Sequence, residues 1–350
     1  MKAIGVNSYG AVENLVAQEV PEPESPQGTY LLVQVKATSL NPIDCKIRQG
    51  KYDDAPDYYE HVPKAPHIIA MDGSGIVLQT GPECTRFQPG DEVFYVSNPT
   101  LQGAASELQL VDEQQCGHKP QTLDFVQAAA MPLTYATAYV SLVESLGIKK
   151  GEKAAILIIN GAGGVGAVAS QIARSVLELP VIITTASRPE TVAFTKKMGA
   201  THVLNHRQDL QKQVKELNLD VPIKYVYILG RTEQYIHVVG EIAAPFARVC
   251  SIVQADFSMY GTKFMSKSMT FAWCWLGTRA YHGTDVGFYE NIFTEMKELV
   301  DGGVVKCHLT KRMKFTVENL REAHRLLEEG TMYGKVALGV DEEGEGEAFT

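Results

Sequence analysis

The pattern of hydrophobic and polar residues changes character near residue 123. Before it, short apolar runs rich in Val, Leu and Tyr are separated by turn residues such as Gly81-Pro82 and Pro89-Gly90-Asp91. The runs lie at residues 30–37, 75–79, 92–96 and 106–111. Short strands bounded by Gly, Pro and Asp are typical of antiparallel sheets. We therefore predict a barrel-like β domain in the first third of the chain.

After residue 150, strand and helix patterns alternate. A continuous apolar run at 154–159 is followed by a Gly-rich turn and a helix pattern at 167–177. Further strand patterns lie at 181–185, 202–204, 225–229 and 248–253, with a helix pattern at 189–198. Continuous apolar strands alternating with helices predict a doubly wound parallel sheet, so the fold class is α/β.

Two segments flank this alternation. Residues 124–146 form an Ala-rich helical stretch in which Pro132 predicts a break or kink. Past Trp275, a helix pattern at 288–300 precedes strand patterns at 313–315 and 335–338. We expect these last strands to return to the first domain.

Composition narrows the range of partners. The 350 residues suffice for about two domains, and 45% of them are hydrophobic. The net charge of −9 disfavours nucleic acid and anionic membranes as partners. No apolar run is long enough for a membrane helix, and no signal peptide precedes the first strand pattern, so we expect a cytoplasmic protein. The acidic run at 341–350 is expected to be solvated and mobile.

A glycine motif follows the apolar run at 154–159. Gly161, Gly163 and Gly166 form G-x-G-x-x-G between a strand pattern and a helix pattern, which is the context of a dinucleotide phosphate site. The first glycine permits the tight turn, the second lets a pyrophosphate approach the backbone, and the third allows close packing. The predicted contacts are Gly161, Ala162, Gly163, Gly164, Val165 and Gly166. The alternative is a tight turn that binds no ligand.

The end of the second strand of this region indicates which dinucleotide binds. An Asp or Glu there would bind the ribose 2′-hydroxyl of NAD, but this chain has Thr185-Ala186-Ser187-Arg188. A hydroxyl beside a guanidinium suits a 2′-phosphate. We predict NADP(H) as cofactor, contacted by Ser187 and Arg188. The alternative is that these two residues only cap the following helix.

Motifs along the whole chain resemble the medium-chain dehydrogenase/reductase superfamily. The resemblance is to its zinc-independent quinone oxidoreductase branch, particularly the zinc-type alcohol dehydrogenase-like members. The matching stretches are ATSLNPID at 37–44, DGSG at 72–75, FQPGDEVF at 87–94, AAAMPLT at 128–134, TASRPET at 185–191 and GKV at 334–336. The resemblance implies a GroES-like catalytic domain from residues 1–125 and 277–350. It further implies a Rossmann NADP(H)-binding domain at 126–276, an active site in the cleft and a homodimer.

The resemblance also raises the question of zinc. The family places its first catalytic zinc ligand, a Cys, where this chain has Asn41, and a His-Glu pair where it has Met71 and Asp72. A carboxamide and a thioether do not replace an imidazole and a thiolate on zinc. Cys45 is four positions out of register, and the six cysteines contain no CxxC pair. We therefore expect no metal site.

Without a metal, a hydride from a nicotinamide can reduce a substrate already activated by conjugation. The resemblance implies that Asn41, Asp44 and Tyr52 line the cleft. We predict that Asn41 or Tyr52 donates a hydrogen bond to the substrate oxygen, and that Asp44 positions Arg48 or a ribose hydroxyl. The alternative is that Asn41 and Asp44 only fix a loop and that Tyr52 is a packing residue.

Further cofactor contacts are implied by the resemblance alone. Thr137 would approach the nicotinamide or its phosphate, His206 the adenosine, and Lys335 would add a positive charge. The nicotinamide ribose would be held by Leu229, Ile252 and Val253. The alternative for His206 is a surface histidine without a role, and for the other residues it is a packing role. The pair Trp273 and Trp275 suits either a substrate pocket or a core or dimer interface.

The sequence as a whole predicts an NADPH-dependent, zinc-independent oxidoreductase acting on a small-molecule quinone or α,β-unsaturated carbonyl. Two alternatives stay open. One is a biosynthetic enoyl reductase dedicated to a single metabolite. The other is an NADPH-binding protein with little turnover.

Overall fold

The computed structural model describes residues 1–51 and 64–350. The chain forms two compact units. Unit 1 comprises Met1–Leu133, Gly277–Gly302 and Leu309–Thr350, and unit 2 comprises Thr134–Leu276 and Gly303–His308. Unit 2 is thus inserted into the sequence of unit 1, with one boundary at the predicted place between residues 276 and 277.

Two boundaries differ from the predicted ones. Residues up to Leu133 belong to unit 1 because Val126, Ala129 and Ala130 pack against strand residues of that unit. The segment 303–308 belongs to unit 2, where the Lys306 backbone exchanges two hydrogen bonds with the Gln171 side chain, at 2.7 and 3.0 Å.

The strands are numbered along the chain. They are β1 (Lys2–Val6), β2 (Leu15–Glu19), β3 (Tyr30–Ser39), β4 (His67–Ile68), β5 (Asp72–Thr80), β6 (Glu92–Val96), β7 (Leu108–Asp112), β8 (Cys116–His118), β9 (Ala155–Ile159), β10 (Val181–Thr185), β11 (His202–Leu204), β12 (Ile223–Ile228), β13 (Arg248–Ser251), β14 (Thr270–Trp273), β15 (Leu309–Lys314) and β16 (Lys335–Gly339).

The α-helices are numbered in the same way. They are α1 (Pro42–Gln49), α2 (Phe125–Ala129), α3 (Pro132–Tyr139), α4 (Gly164–Gln171), α5 (Pro189–Lys197), α6 (Leu210–Glu216), α7 (Thr232–Ile242), α8 (Thr278–His282), α9 (Phe288–Asp301) and α10 (Val317–Glu328). Short 3₁₀ turns lie at Val12–Asn14 and Glu113–Gln115, and π-helical turns at Val140–Ser145 and Ile172–Val176 continue α3 and α4. Across residues 1–51 and 64–350, no helix has the length and apolar character needed to span a bilayer.

Unit 1 is built on two β-sheets. One has the strand order β15-β16-β3-β5-β6-β8, with β7 also pairing with β3, and the other has the order β2-β1-β4. The pairs are antiparallel except for β15 with β16. The C-terminal strands therefore return to the first domain, as predicted, because β16 pairs directly with β3.

Unit 2 is a single parallel sheet with the order β11-β10-β9-β12-β13-β14. The central strand β9 is buried along its whole length, which explains its continuous apolar run. The order reverses at β9, and ligands of such sheets bind at the carboxyl ends of the strands beside this reversal. The predicted doubly wound sheet is confirmed, and so is the helix break, because α2 ends at Ala129 and α3 begins at Pro132.

The acidic C-terminal run does not behave as predicted. The Phe349 ring is 4% exposed and belongs to the core of unit 1. The Phe349 N–H donates to the Phe315 carbonyl at 2.7 Å, and the Val317 N–H donates to the Thr350 carbonyl at 2.9 Å. The expectation of a mobile end is wrong because one aromatic residue within the run anchors it.

Candidate functional site

The glycine-rich turn joins β9 to α4 in unit 2. A Cβ on Gly161 would lie 2.4 Å from Thr184 Cβ, and one on Gly166 would lie 2.7 Å from the Gly161 Cα. These two glycines are required by packing. Gly163 differs, because a Cβ there would lie 3.5 Å from its nearest neighbour, on Asn160.

The turn therefore has one face that packs against the sheet and one exposed face, which is the predicted ligand face. Gly163, Gly164 and Val165 are partly exposed, whereas Gly161 and Ala162 are buried. The first N–H groups of α4 begin at this exposed face, where the helix N-terminus attracts an anion. The geometry fits a dinucleotide pyrophosphate.

The end of β10 lies beside this turn. The Asn160 N–H donates to the Thr185 hydroxyl at 2.8 Å, so the two neighbouring strand ends are joined by a hydrogen bond. Ser187 and Arg188 follow, and Arg188 is the residue that precedes α5. The Arg188 Nε lies 3.1 Å from Glu190 Oε1. The neighbouring carboxylate thus compensates part of the predicted phosphate-binding charge.

Two more arginines stand at the next strand ends. Arg207 follows β11 and Arg231 follows β12, and both are exposed. Together with partial burial, which is the largest cause, their charges hold the pKa of His206 below its ordinary value. His206 is therefore neutral near pH 7, close to the positive charges of Arg207 and Arg231. This cationic strand-end cluster, His206, Arg207 and Arg231, suits a phosphorylated ribose.

The remaining predicted cofactor residues of unit 2 lie at α3 and at two strand ends. Thr137 is buried in α3, and its carbonyl accepts a hydrogen bond from the Tyr227 hydroxyl at 3.4 Å. Leu229 follows β12, while Ile252 and Val253 follow β13. Thr232 fixes Val253 by donating to its carbonyl at 2.6 Å. No ligand tests these contacts, and they stay predictions.

Asn41 lies in unit 1, within a buried network of charged and polar side chains. Its Nδ2 donates to Asp72 Oδ2 at 2.7 Å, and its Oδ1 accepts from Lys335 Nζ at 2.6 Å. Lys335 also lies 3.3 Å from Asp72 Oδ2, and the two side chains are 4% and 0% exposed. The Ser39 hydroxyl donates to the same Asp72 oxygen at 2.8 Å. The Asp72 carboxylate therefore has cationic and neutral donors that offset the cost of its burial.

The unit 1 sheet brings these residues together. In the register of β3, Ser39 stands opposite Asp72 of β5 on one side and Ala337 of β16 on the other. Lys335 begins β16, and Asn41 follows β3 as the residue that precedes α1. The network therefore joins residues far apart in the sequence.

Asp44 does not position Arg48, so that part of the prediction is wrong. Its carboxylate accepts from the backbone N–H groups of Asn41, at 2.7 Å, and Met71, at 3.1 Å. Arg48 instead hydrogen-bonds Gly10 and the side chains of two α10 residues, His324 and Glu328. Asp44 is fully buried, and this burial raises its pKa to about 7 against the opposing effect of the backbone donors and Lys335. Asp44 fixes the start of α1, and its predicted contact to a ribose hydroxyl stays a prediction.

Lys335, which the resemblance implies would add a positive charge to the cofactor site, is bound to acceptors of unit 1. Its ammonium donates to the Leu40 carbonyl at 2.7 Å, in addition to Asn41 and Asp72. The three ammonium protons thus have three acceptors within unit 1, and the role of Lys335 toward the cofactor stays a prediction. Tyr52, the other predicted oxygen-binding residue, lies outside the described residues.

The donors at this network do not fit a catalytic zinc. Asn41 and Asp72 bind Lys335, and the third candidate position holds the thioether of Met71. Zinc sites use thiolate, imidazole and carboxylate ligands in sets of at least three protein groups. Searched over residues 1–51 and 64–350, the structure contains no cluster of three His, Cys, Asp or Glu side chains suited to a metal ion.

A GroES-like β domain and a Rossmann sheet with a glycine-rich turn define a class of nucleotide-dependent oxidoreductases. Residues 27–139 match the alcohol dehydrogenase GroES-like domain, and residues 198–338 match the zinc-binding dehydrogenase domain. The zinc-type alcohol dehydrogenase-like protein of Staphylococcus epidermidis is 34% identical over 348 residues, covering 97% of this chain and 100% of that protein. The chain therefore belongs to the medium-chain dehydrogenase/reductase superfamily.

Two quinone oxidoreductases are also similar to the chain. The protein of Lama guanicoe is 34% identical over 232 residues, which is 64% of this chain and 66% of that protein. The Escherichia coli quinone oxidoreductase, solved in complex with NADPH, is 26% identical, with a TM-score of 0.80. That alignment covers 97% of this chain and all of the other.

Sequence reasoning missed Arg207, Arg231 and the place of Lys335. The two arginines follow predicted strands directly, so a search for charges at strand ends would have found them. For Lys335 the sequence carries no such signal, because its partners lie 263 and 294 residues away.

Proposed function

We propose that this chain is an NADPH-dependent, zinc-independent reductase of quinones or α,β-unsaturated carbonyls. The observation that carries the proposal is the network of Asn41, Asp72 and Lys335. At the positions where the family places zinc ligands, this chain has the amide of Asn41, the thioether of Met71 and the carboxylate of Asp72, and the Lys335 ammonium donates to both Asn41 and Asp72. Such a site offers hydrogen bonds to an oxygen and no Lewis acid.

This chemistry favours a substrate already activated by conjugation. The cofactor, when bound, supplies the hydride. Hydride adds to the β-carbon of an enone or to a quinone carbonyl system, electrons move onto the oxygen, and a proton from water or an acid completes the reduction. The task of the protein is to stabilise that developing oxyanion. Asn41 is the proposed donor, because only one of its two amide protons faces Asp72.

NADPH is the proposed cofactor because of the charges at the strand ends. No Asp or Glu stands at the end of β10 to bind an unphosphorylated ribose. Three guanidinium groups instead follow β10, β11 and β12. They belong to Arg188 and to the two arginines of the cationic strand-end cluster. The NADPH complex of the similar Escherichia coli quinone oxidoreductase supports the same cofactor class.

The test is a turnover assay with defined reductants. Purified protein is mixed with NADPH or NADH and with 1,4-quinones, enals, enones and simple ketones, and nicotinamide absorbance is followed. We expect turnover of the activated substrates with NADPH, none with simple ketones, and no loss of activity after chelator treatment. Turnover of simple alcohols or ketones that disappears with a chelator would overturn the proposal.

Two outcomes would support the alternatives. Turnover restricted to one enoyl substrate would indicate a dedicated enoyl reductase. Tight NADPH binding without turnover of any substrate would indicate a binding protein.

We also propose that the protein is a homodimer. β14 is the last strand of the unit 2 sheet, and its Trp273 is 47% exposed. The Trp273 ring contacts Phe271 and Phe257, with ring centroids 4.8 and 5.9 Å away. A half-exposed aromatic cluster on a last strand suits pairing with a second copy. Light scattering of the wild type and of Trp273→Asp would test this, with a monomeric wild type as the contrary result.

A further inference from the structure

Lys335 is a cation enclosed by oxygen acceptors of its own unit. Its ammonium reaches the Leu40 carbonyl at 2.7 Å, Asn41 Oδ1 at 2.6 Å and Asp72 Oδ2 at 3.3 Å. The side chain is 4% exposed, and burial lowers its pKa while Asp72 and Asp44 oppose that shift. A buried lysine is costly, so its conformation depends on these acceptors.

The Asn41 carboxamide is held from both ends. Lys335 donates to its oxygen, and its nitrogen donates to Asp72 at 2.7 Å. A flipped amide would place NH₂ against an ammonium and oxygen against a carboxylate, so the charges determine a single orientation. The Asn41 backbone N–H is fixed as well, by Asp44 at 2.7 Å.

This arrangement leaves a polarised donor. Among the described residues, the Asn41 Nδ2 donates one hydrogen bond, to Asp72. Its second amide proton therefore has no acceptor there. A cation on the amide oxygen draws electron density from the nitrogen, and hydrogen bonds in such a chain strengthen one another. The Lys335 ammonium thus strengthens the remaining N–H as a donor, against the opposing effect of the Asp72 carboxylate on the same nitrogen.

We propose that Lys335 is a positioning residue that orients and polarises the Asn41 amide toward the substrate oxygen, in place of a charge contact to the cofactor. This inference rests on the proposed function, in which Asn41 donates to that oxygen. It assigns to an internal ammonium, acting through an amide, the polarising role that a metal has in zinc-dependent enzymes.

The first experiment is a double-mutant cycle with Lys335→Met and Asn41→Ala. Because Lys335 acts through Asn41, we expect Lys335→Met to lower kcat about tenfold to a hundredfold, with an unchanged KM for NADPH. Adding Lys335→Met to Asn41→Ala should then lower kcat no further. Additive losses in kcat, or a raised KM for NADPH at an unchanged kcat, would overturn the inference.

Rescue experiments separate positioning from folding. Lys335→Ala lacks the equivalent of n-propylamine, so n-propylammonium should restore part of kcat, whereas n-propanol of the same shape should not. Lys335→Arg, which keeps the charge, should retain more activity than Lys335→Met at comparable melting temperature. Equal rescue by the alcohol and the ammonium would show that only cavity filling matters and would contradict the polarising role.

A spectroscopic measurement keeps the inference testable without turnover. The side-chain amide ¹⁵N–¹H resonances of Asn41, assigned by their loss in Asn41→Ala, should shift in Lys335→Ala and return on addition of n-propylammonium. Absence of turnover in the wild type would overturn the proposed function. Asn41 resonances that do not change when n-propylammonium is added to Lys335→Ala would overturn this inference, whether or not the wild type shows turnover.

Discussion

The rings of Phe315 and Phe349 pack with their centroids 4.5 Å apart, at an interplanar angle of 43°. This contact connects the last residues of an acidic terminus to the core of unit 1. The terminus therefore contributes to stability although most of its residues are exposed.

We predict that Phe349→Ala lowers the free energy of unfolding of unit 1 by about 3–5 kcal/mol, the usual cost of truncating a buried Phe. Urea unfolding monitored by circular dichroism would measure it. Glu345→Ala, an exposed position in the same run, is the matched control and should change stability by less than about 0.5 kcal/mol. Equal stability of Phe349→Ala and wild type would show that the terminus is not anchored.

Two glycines of the glycine-rich turn should respond differently to alanine. Gly161→Ala places a methyl group 2.4 Å from Thr184 Cβ, and we expect a loss of about 1–3 kcal/mol in stability. Gly163→Ala meets only ordinary contact at 3.5 Å and has a φ of −71°, so its stability should match the wild type. Its NADPH affinity should nevertheless fall at least about tenfold, since the methyl group lies on the ligand face. Fluorescence titration measures this, and wild-type affinity would contradict the predicted pyrophosphate site.

The ion pair of Arg188 and Glu190 predicts a gain in cofactor binding. Glu190→Gln removes the carboxylate 3.1 Å from the Arg188 Nε, so more of the positive charge is available to a 2′-phosphate. We expect NADPH affinity to rise up to about fivefold, the scale of an exposed ion pair, with NADH affinity unchanged. Glu178→Gln breaks a comparable exposed pair with Lys150 and is the control for net charge. Parallel gains for NADPH and NADH would argue against phosphate recognition by Arg188.

Arg231 leads to a prediction of weaker cofactor binding, in contrast to the gain expected for Glu190→Gln. Arg231→Ala removes one charge of the cationic strand-end cluster and should weaken NADPH binding, with a smaller effect on NADH. Titrations at two salt concentrations measure it, because a lost phosphate contact also weakens the salt dependence of NADPH binding. A loss of the same size for both cofactors would indicate a contact to another part of the dinucleotide.

His324 makes folding sensitive to acid. It is fully buried, and its Nδ1 accepts from Arg48 Nε at 3.3 Å. Burial, and then the charge of Arg48, lowers its pKa to about 3 from an ordinary value of 6.5. Below pH 6.5 the His324 imidazole is protonated in the unfolded chain but not in the folded chain. The free energy of unfolding therefore falls as the pH falls from 6.5 toward 3.

We expect His324 to lower the free energy of unfolding by about 1.4 kcal/mol for each pH unit well below pH 6.5. His324→Asn keeps an acceptor for Arg48 and cannot titrate, so its stability should fall less between pH 7 and pH 5 in urea unfolding. Burial lowers the pKa of His67 to about 4, so His67 also lowers stability as the pH falls. Asp44, whose pKa is raised, has the opposite effect on stability. Both groups are common to the two proteins and cancel in the difference. Identical pH slopes would contradict a neutral, buried His324.

Local patterns predicted much of unit 2 correctly. The run at 154–159 is apolar because β9 is buried along its whole length. The residues of the strand itself therefore predict its burial. The glycines at 161 and 166 are required by contacts within one strand–turn–helix motif, so their spacing carries the information. The family followed from motifs of the same local kind.

Other features depend on distant parts of the chain. Arg48, expected beside Asp44, is instead held by residues of α10. The composition of the acidic terminus predicts a mobile segment, but the single buried Phe349 anchors it. Neither error was avoidable from neighbouring residues alone.

The sequence by itself determined the two fold types, the glycine turn and the family. Each of these is encoded by residues that interact within one short segment or by residue types at known motif positions. Only the tertiary structure decided what Asn41, Asp72 and Lys335 do. Their hydrogen bonds form because β3 lies between β5 and β16, and a sheet register joins residues whose separation along the chain leaves no local signal.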